Sequence, residues 1–195
     1  MADNSHILLV DNYDSFTFNL AGLVAECGFE CDVVKNDRVD PHQVEPYRKI
    51  LISPGPGLPP EAGAVCEIIK KYAATKSILG VCLGHQAIGE AFGAKLGIMG
   101  RPEHGVRTKI RVPEDAGDLF AGMPREFEAG VYHSWFVEAD SLPACLRVTA
   151  TAGDGTIMAM SHRDFRVHGV QFHPESVMTP QGIRLMRNWL GSYEL

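Results

Sequence analysis

Residues 7–10, Ile-Leu-Leu-Val, form a short unbroken apolar run that ends in the polar cluster Asp11-Asn12-Tyr13-Asp14-Ser15. Such a run, bounded by turn formers, predicts a strand buried on both faces. Phe16, Leu20, Leu23 and Val24 then recur at helical spacing, with Asp14 or Ser15 able to cap the start and Gly28 to stop the helix. Residues 31–34 and 50–52 repeat the strand pattern, and 41–47 fits a short helical turn between them. Past a Pro/Gly-rich segment at 53–63, Val65, Ile68, Ile69 and Tyr72 mark a second long helix, with Lys70 and Lys71 on its wet face. Residues 78–81 read as another strand, followed by a helix that carries Ala87, Ile88, Ala91 and Phe92 and ends at Gly93. This alternation predicts an α/β fold: a doubly wound, mostly parallel sheet with right-handed crossovers and helices on both faces.

From Gly105 the period changes to two, in short pieces at 106–112, 127–132, 146–150, 157–161 and 167–172. These predict antiparallel hairpins that extend the sheet. The end is helical again, with Thr179 as N-cap, Pro180 at the first position and Ile183, Leu185, Met186, Trp189 and Leu190 on one side. No repeat, low-complexity tract or linker divides the chain, so a single domain over residues 1–195 is expected.

Composition narrows the class. A chain of 195 residues with 45% apolar and 22% charged side chains has room for a full core without disulfides or a structural metal. Lys plus Arg number 18 against 24 Asp plus Glu, with no basic run, so nucleic acid is not an expected partner. The aliphatic stretches fall far short of the ~20 residues that cross a bilayer, and Met1-Ala2-Asp3-Asn4-Ser5-His6 lacks the features of a signal peptide, so the cytoplasm is the expected compartment and no membrane contact is expected. The five cysteines are an odd set without repeated spacing, expected to stay reduced. Cys27 and Cys31 have no second pair at zinc spacing, so packed thiols and no metal are expected.

Gly80-Val81-Cys82-Leu83-Gly84-His85-Gln86 sets a cysteine between a strand and a helix with glycine two residues away on each side. That is the pattern of a nucleophile elbow, in which the turn leaves no room for side chains at the glycines and the helix N-terminus favours a thiolate. A buried cysteine at a strand end is the other reading of the same residues. Gly169-Val170-Gln171-Phe172-His173-Pro174-Glu175-Ser176 places Glu175 two residues past His173, on the same side of an extended backbone. Cysteine, histidine and carboxylate together would form a thiol triad, with the carboxylate fixing the tautomer of the base; a surface histidine beside a carboxylate is the alternative. No cysteine follows Cys145, so the zinc-deaminase pattern that also begins His-x-Glu is incomplete. Ser53-Pro54-Gly55-Pro56-Gly57-Leu58-Pro59-Pro60 is neither a Walker loop nor a dinucleotide fingerprint, since its prolines remove amide donors. A stiff loop with few N–H groups suits an oxyanion or a small polar substrate, or else serves only as a turn. Tyr132-His133-Ser134-Trp135, judged by itself, reads as strand surface.

Taken together, segments 53–63, 80–86 and 169–176 resemble the class I, or triad-type, glutamine amidotransferases, over nearly the whole chain. Asp11-Asn12-Tyr13-Asp14-Ser15-Phe16-Thr17-Phe18-Asn19 and Tyr132-His133-Ser134 are similar to the branch that serves chorismate-using synthases; Trp135 stands where that branch often has leucine. The resemblance implies a flavodoxin-like amidotransferase fold with Cys82 as nucleophile, His173 as general acid and base, and Glu175 as the orienting carboxylate. It implies an oxyanion held by the amides of Leu83 and Gly55, and glutamine held by Gly55, Pro56, Gly57, Gln86, Ser134 and Trp135. No cofactor is implied. The implied partner is a chorismate-converting synthase subunit, component I of anthranilate synthase in tryptophan biosynthesis or, as the alternative, of aminodeoxychorismate synthase. That larger subunit is expected to use the ammonia, because no acidic cluster for Mg²⁺ and no second domain stand out in this sequence. A thiol hydrolase acting alone, and a non-catalytic flavodoxin-like or receiver module, are the competing expectations.

Overall fold

The computed structural model describes residues 6–191. The parallel half comprises β1 (His6–Asp11), α1 (Thr17–Glu26), β2 (Glu30–Lys35), β3 (Lys49–Ile52), α2 (Val65–Tyr72), β4 (Ser77–Val81) and α3 (Leu83–Ala91). It is followed by β5 (Leu96–Arg111), β6 (Glu126–Val137), β7 (Leu146–Thr151), β8 (Ile157–His162), β9 (Val167–Val170) and α4 (Gly182–Gly191). Among the described residues these strands form one nine-stranded sheet in the order β2-β1-β3-β4-β9-β8-β7-β5-β6. β2, β1, β3, β4 and β9 run parallel, and every remaining pairing is antiparallel.

The unbroken apolar runs are explained by a core on each face. Ile7 and Leu9 of β1 join Leu20, Val24, Leu185 and Trp189 of α1 and α4, whereas Leu8 and Val10 join Ile68, Ile69, Ala87 and Ile88 of α2 and α3. Alternate residues of one strand thus feed opposite layers, and the strand needs no polar face.

The antiparallel half departs from expectation in three places. Residues 167–172 do not extend the sheet outward: β9 pairs antiparallel with β8 but parallel with β4, so it becomes the central strand beside the elbow. β5 begins at Leu96 rather than at residue 106, because register shifts between Ile98/Glu103 and His104/Val106 break the alternation that would reveal it. Thr179 does not cap α4, which starts at Gly182. Its hydroxyl donates instead to the His173 carbonyl at 2.7 Å and accepts from Gly130 N–H at 3.0 Å. α2 is also short, with 8 residues, and 41–46 is a chain of turns.

No helix among the described residues is long and apolar enough to cross a membrane. Residues 1–5, read above against an export signal, lie outside the described residues.

Candidate active site

Cys82 follows β4 with φ 53° and ψ −101°, a left-handed conformation rare for a residue with a side chain. Its N–H bonds Val170 of β9 at 2.8 Å, and α3 begins at the next residue. The flanking glycines are there for space. A Cβ on Gly80 would run into the Gly84 carbonyl, and one on Gly84 would lie 2.7 Å from the Ile52 carbonyl. The sharp turn therefore brings the thiol to the carboxyl ends of the parallel strands, where open α/β sheets bind ligands. Leu83 N–H heads α3, where no preceding turn can accept it. Gly55 is pressed against Asn12 and the Leu83 side chain, since a Cβ there would lie 2.5 Å from the Asn12 Cβ and 3.0 Å from the Leu83 side chain. The loop is anchored by Asn12, whose N–H bonds the Ser53 hydroxyl at 2.8 Å and whose amide donates to the Ser53 carbonyl at 2.8 Å.

β9 lies beside β4, so the residues that follow it reach Cys82. His173 Nδ1 lies 2.6 Å from Glu175 Oε1, with the two side chains 2% and 0% exposed. Burial would depress the imidazole, but interaction with Cys82 and the hydrogen bond to Glu175 outweigh it and push His173 up to about 10. Tyr132 and Phe16 pack edge-on against the ring, at 4.8 Å and 5.9 Å between centroids. The ring is thus held both by a carboxylate and by aromatic walls.

A cavity of about 330 Å³ opens in front of the thiol. Gly55, Pro56 and Gly57 form one wall, and Gln86, Ser134 and Trp135 line it with Cys82, together with Leu58, His104, Tyr132 and His133. The Trp135 carbonyl accepts from Gln86 Nε2 at 2.9 Å and from His133 Nδ1 at 2.8 Å, and the Ser134 hydroxyl lies 3.1 Å from His104 Nε2. The structure therefore places Gly55, Pro56, Gly57, Gln86, Ser134 and Trp135 on one cavity with Cys82, although Ser134 and Trp135 by themselves read as strand surface. Chemically the set can form a thiolate beside an imidazolium, with amide donors near the sulfur.

A family model described as glutamine amidotransferase class-I matches residues 8–192. The chain belongs to this family. This amidotransferase is 45% identical over 192 residues to "Anthranilate synthase component 2" of Mycobacterium tuberculosis, covering 94% of this chain and 81% of that one. It is 44% identical over 186 residues to "Aminodeoxychorismate synthase component 2" of Escherichia coli K12, covering 94% and 98%. A solved structure from Thermoplasma acidophilum, described as one of the subunits of a GMP synthase, superposes with a TM-score of 0.86 at 27% identity, covering 95% of this chain and 92% of that one.

The site of this amidotransferase also contains Gln171, for which the sequence implied no role. Gln171 is fully buried and donates from Nε2 to the Cys82 sulfur at 3.5 Å. Phe16 and Tyr132, which lie in the segments similar to the chorismate-synthase branch but had no expected role of their own, also shape the site, as does His104, which lies in none of the motifs. The other cysteines stay apart: all five are free, and burial raises Cys27, Cys66 and, to about 12, Cys31, so these three stay protonated thiols at neutral pH. Among the described residues no group of three or more His, Cys, Asp or Glu could hold a metal ion.

Proposed function

We propose that this chain is the glutaminase subunit of anthranilate synthase, hydrolysing glutamine at Cys82 and passing ammonia to a chorismate-binding subunit. The observation that carries the reading is a thiol on a positive-φ elbow, beside a buried His173–Glu175 pair, at the wall of a cavity sized for one amino acid.

The Cys82 thiolate attacks the side-chain carbonyl carbon of glutamine. The negative charge moves to oxygen, where Leu83 and Gly55 N–H groups meet it; one such donor is typically worth about 3 kcal/mol in the transition state. The tetrahedral intermediate collapses, the C–N bond breaks, and the His173 imidazolium protonates the departing nitrogen to give ammonia and a glutamyl thioester. Neutral His173 then takes a proton from water, hydroxide adds to the thioester, and the C–S bond breaks to release glutamate and restore the thiolate. Glu175 holds the Nδ1 proton throughout, so Nε2 serves the reaction. Gln86 has both N–H groups engaged, toward Trp135 and Gln171, which leaves its Oε1 to accept from the substrate amide.

Aminodeoxychorismate synthesis is the second reading, favoured by the 44% identity to component 2 of that synthase. The test is reconstitution with each type of component I. With the right partner, Cys82→Ser should lose glutamine-dependent synthesis and keep ammonia-dependent synthesis, and the aromatic product distinguishes the pathways. Rapid glutamine hydrolysis with no partner and no transfer to either synthase would instead favour a hydrolase that acts alone.

A further inference from the structure

We propose that Gln171 is a further catalytic residue of this site: its side-chain amide holds the Cys82 thiolate, and its orientation is locked through Gln86 by the main-chain carbonyl of Trp135. The proposal rests on Cys82 being the nucleophile. A main-chain carbonyl only accepts, so Gln86 must turn its NH₂ toward Trp135, at 2.9 Å. The same NH₂ lies 3.2 Å from Gln171 Oε1 and can only donate to it. The Gln171 amide is thereby set with its oxygen toward Gln86 and its NH₂ toward the sulfur, at 3.5 Å. Both glutamines are buried, at 3% and 0% exposure, so water does not compete for these groups.

A donor at this position acts on charge. It stabilises a thiolate more than a thiol, and a thiolate more than the nearly neutral sulfur of a thioester. It therefore assists twice, by raising the thiolate fraction before attack and by stabilising the leaving thiolate when the thioester is hydrolysed. Trp135 lies on the cavity wall, so a ligand that moves this stretch of β6 also moves the orienting carbonyl.

The test is the rate of alkylation of Cys82 by iodoacetamide in the full chain as a function of pH, with the site confirmed by peptide mass. Titratable groups at the sulfur and on the residues packed about it are His173 and Glu175 after β9, Tyr132 and His133 on β6 and His104 on β5, with Asp14 after β1 acting on the His173–Glu175 pair and His85 of α3 acting on His133. All are common to the wild type and the variants. Gln171→Met keeps the bulk and removes the donor; the pH of half-maximal alkylation should rise by about one unit, a tenfold change in the thiol–thiolate balance. Gln171→Glu keeps an acceptor for Gln86 but sets a carboxylate beside the sulfur, and should raise the midpoint further. Gln86→Met unlocks the amide without removing it and should give a smaller rise. Equal midpoints in the wild type and Gln171→Met, with both folded by circular dichroism, would overturn the proposal. So would variants that lose activity and melting temperature without this order, the mark of a purely structural glutamine. If wild-type alkylation spares Cys82, or Cys82→Ser still turns over glutamine, the underlying assignment falls and the proposal with it.

Discussion

Cys82 is held in a backbone conformation that costs about 1–3 kcal/mol for a residue with a side chain. It persists because the turn is clamped on both sides: Gly80 and Gly84 leave no space to relax, and Cys82 N–H is bonded into β9. Gly80→Ala should therefore destabilise the fold by about 1–3 kcal/mol in denaturant unfolding and slow Cys82 alkylation; unchanged stability would mean the elbow can open. His173 carries a pH signature of its own. Its pKa is raised from 6.5 to about 10 in the folded protein, so its stabilising contribution is whole below about 6.5 and fades as pH rises through 10. Unfolding free energies of the wild type and His173→Gln should differ most in mild acid and converge in alkali. A constant difference would show that packing, not charge, holds this ring.

Several elements converge on the loop that carries the triad histidine. β9 delivers it, β6 receives it through His173 N–H bonded to the Gly130 carbonyl at 3.0 Å, and α4 starts against it at Gly182. Thr179 fastens the loop to β6 by its two hydroxyl bonds. Thr179→Val, close in shape, should cost about 1–3 kcal/mol and lower glutamine turnover, because it leaves a buried N–H and a buried carbonyl without their hydroxyl partner; equal melting temperature and turnover would show that the loop is held elsewhere. The parallel half was legible because runs such as 7–10 and 78–81 are apolar on both faces, a pattern only a covered strand explains. β5 was not, since its bulges scramble the alternation, and neither was the placement of β9, which depends on a pairing with β4 that no local pattern encodes. The same limit applies at the site. Cys82, His173 and Glu175 stood out because each lies in a motif with its own spacing. Gln171 lay inside one of those motifs unremarked, because its role comes from contacts with Cys82 and Gln86 made by folding.

At the scale of the whole molecule, the buried histidines set opposite limits on pH. His85 is fully buried and burial pushes it down to about 3, so it stays neutral in the fold while the unfolded chain takes up its proton below about 6.5. Unfolding then consumes a proton, and stability falls with acidification through that range. With His173 acting in the alkaline direction, thermal stability should peak near neutral pH, and His85→Leu should flatten the acid limb; an acid limb unchanged in that variant would assign it to other groups, among them His168, which burial pushes down to about 4, and the carboxylates. The sheet as a whole brings the ends of β1, β3, β4 and β9 to one edge, and there a thiol, an imidazolium and a small cavity meet. The most direct measurement of what they do is rapid acid quenching of the full chain during glutamine turnover, with its synthase partner present, followed by peptide mapping. The expected result is a hydroxylamine-sensitive glutamyl adduct on the Cys82 peptide, absent in Cys82→Ser. Turnover at the same rate with no adduct on Cys82, or with the adduct on another residue, would contradict the assignment.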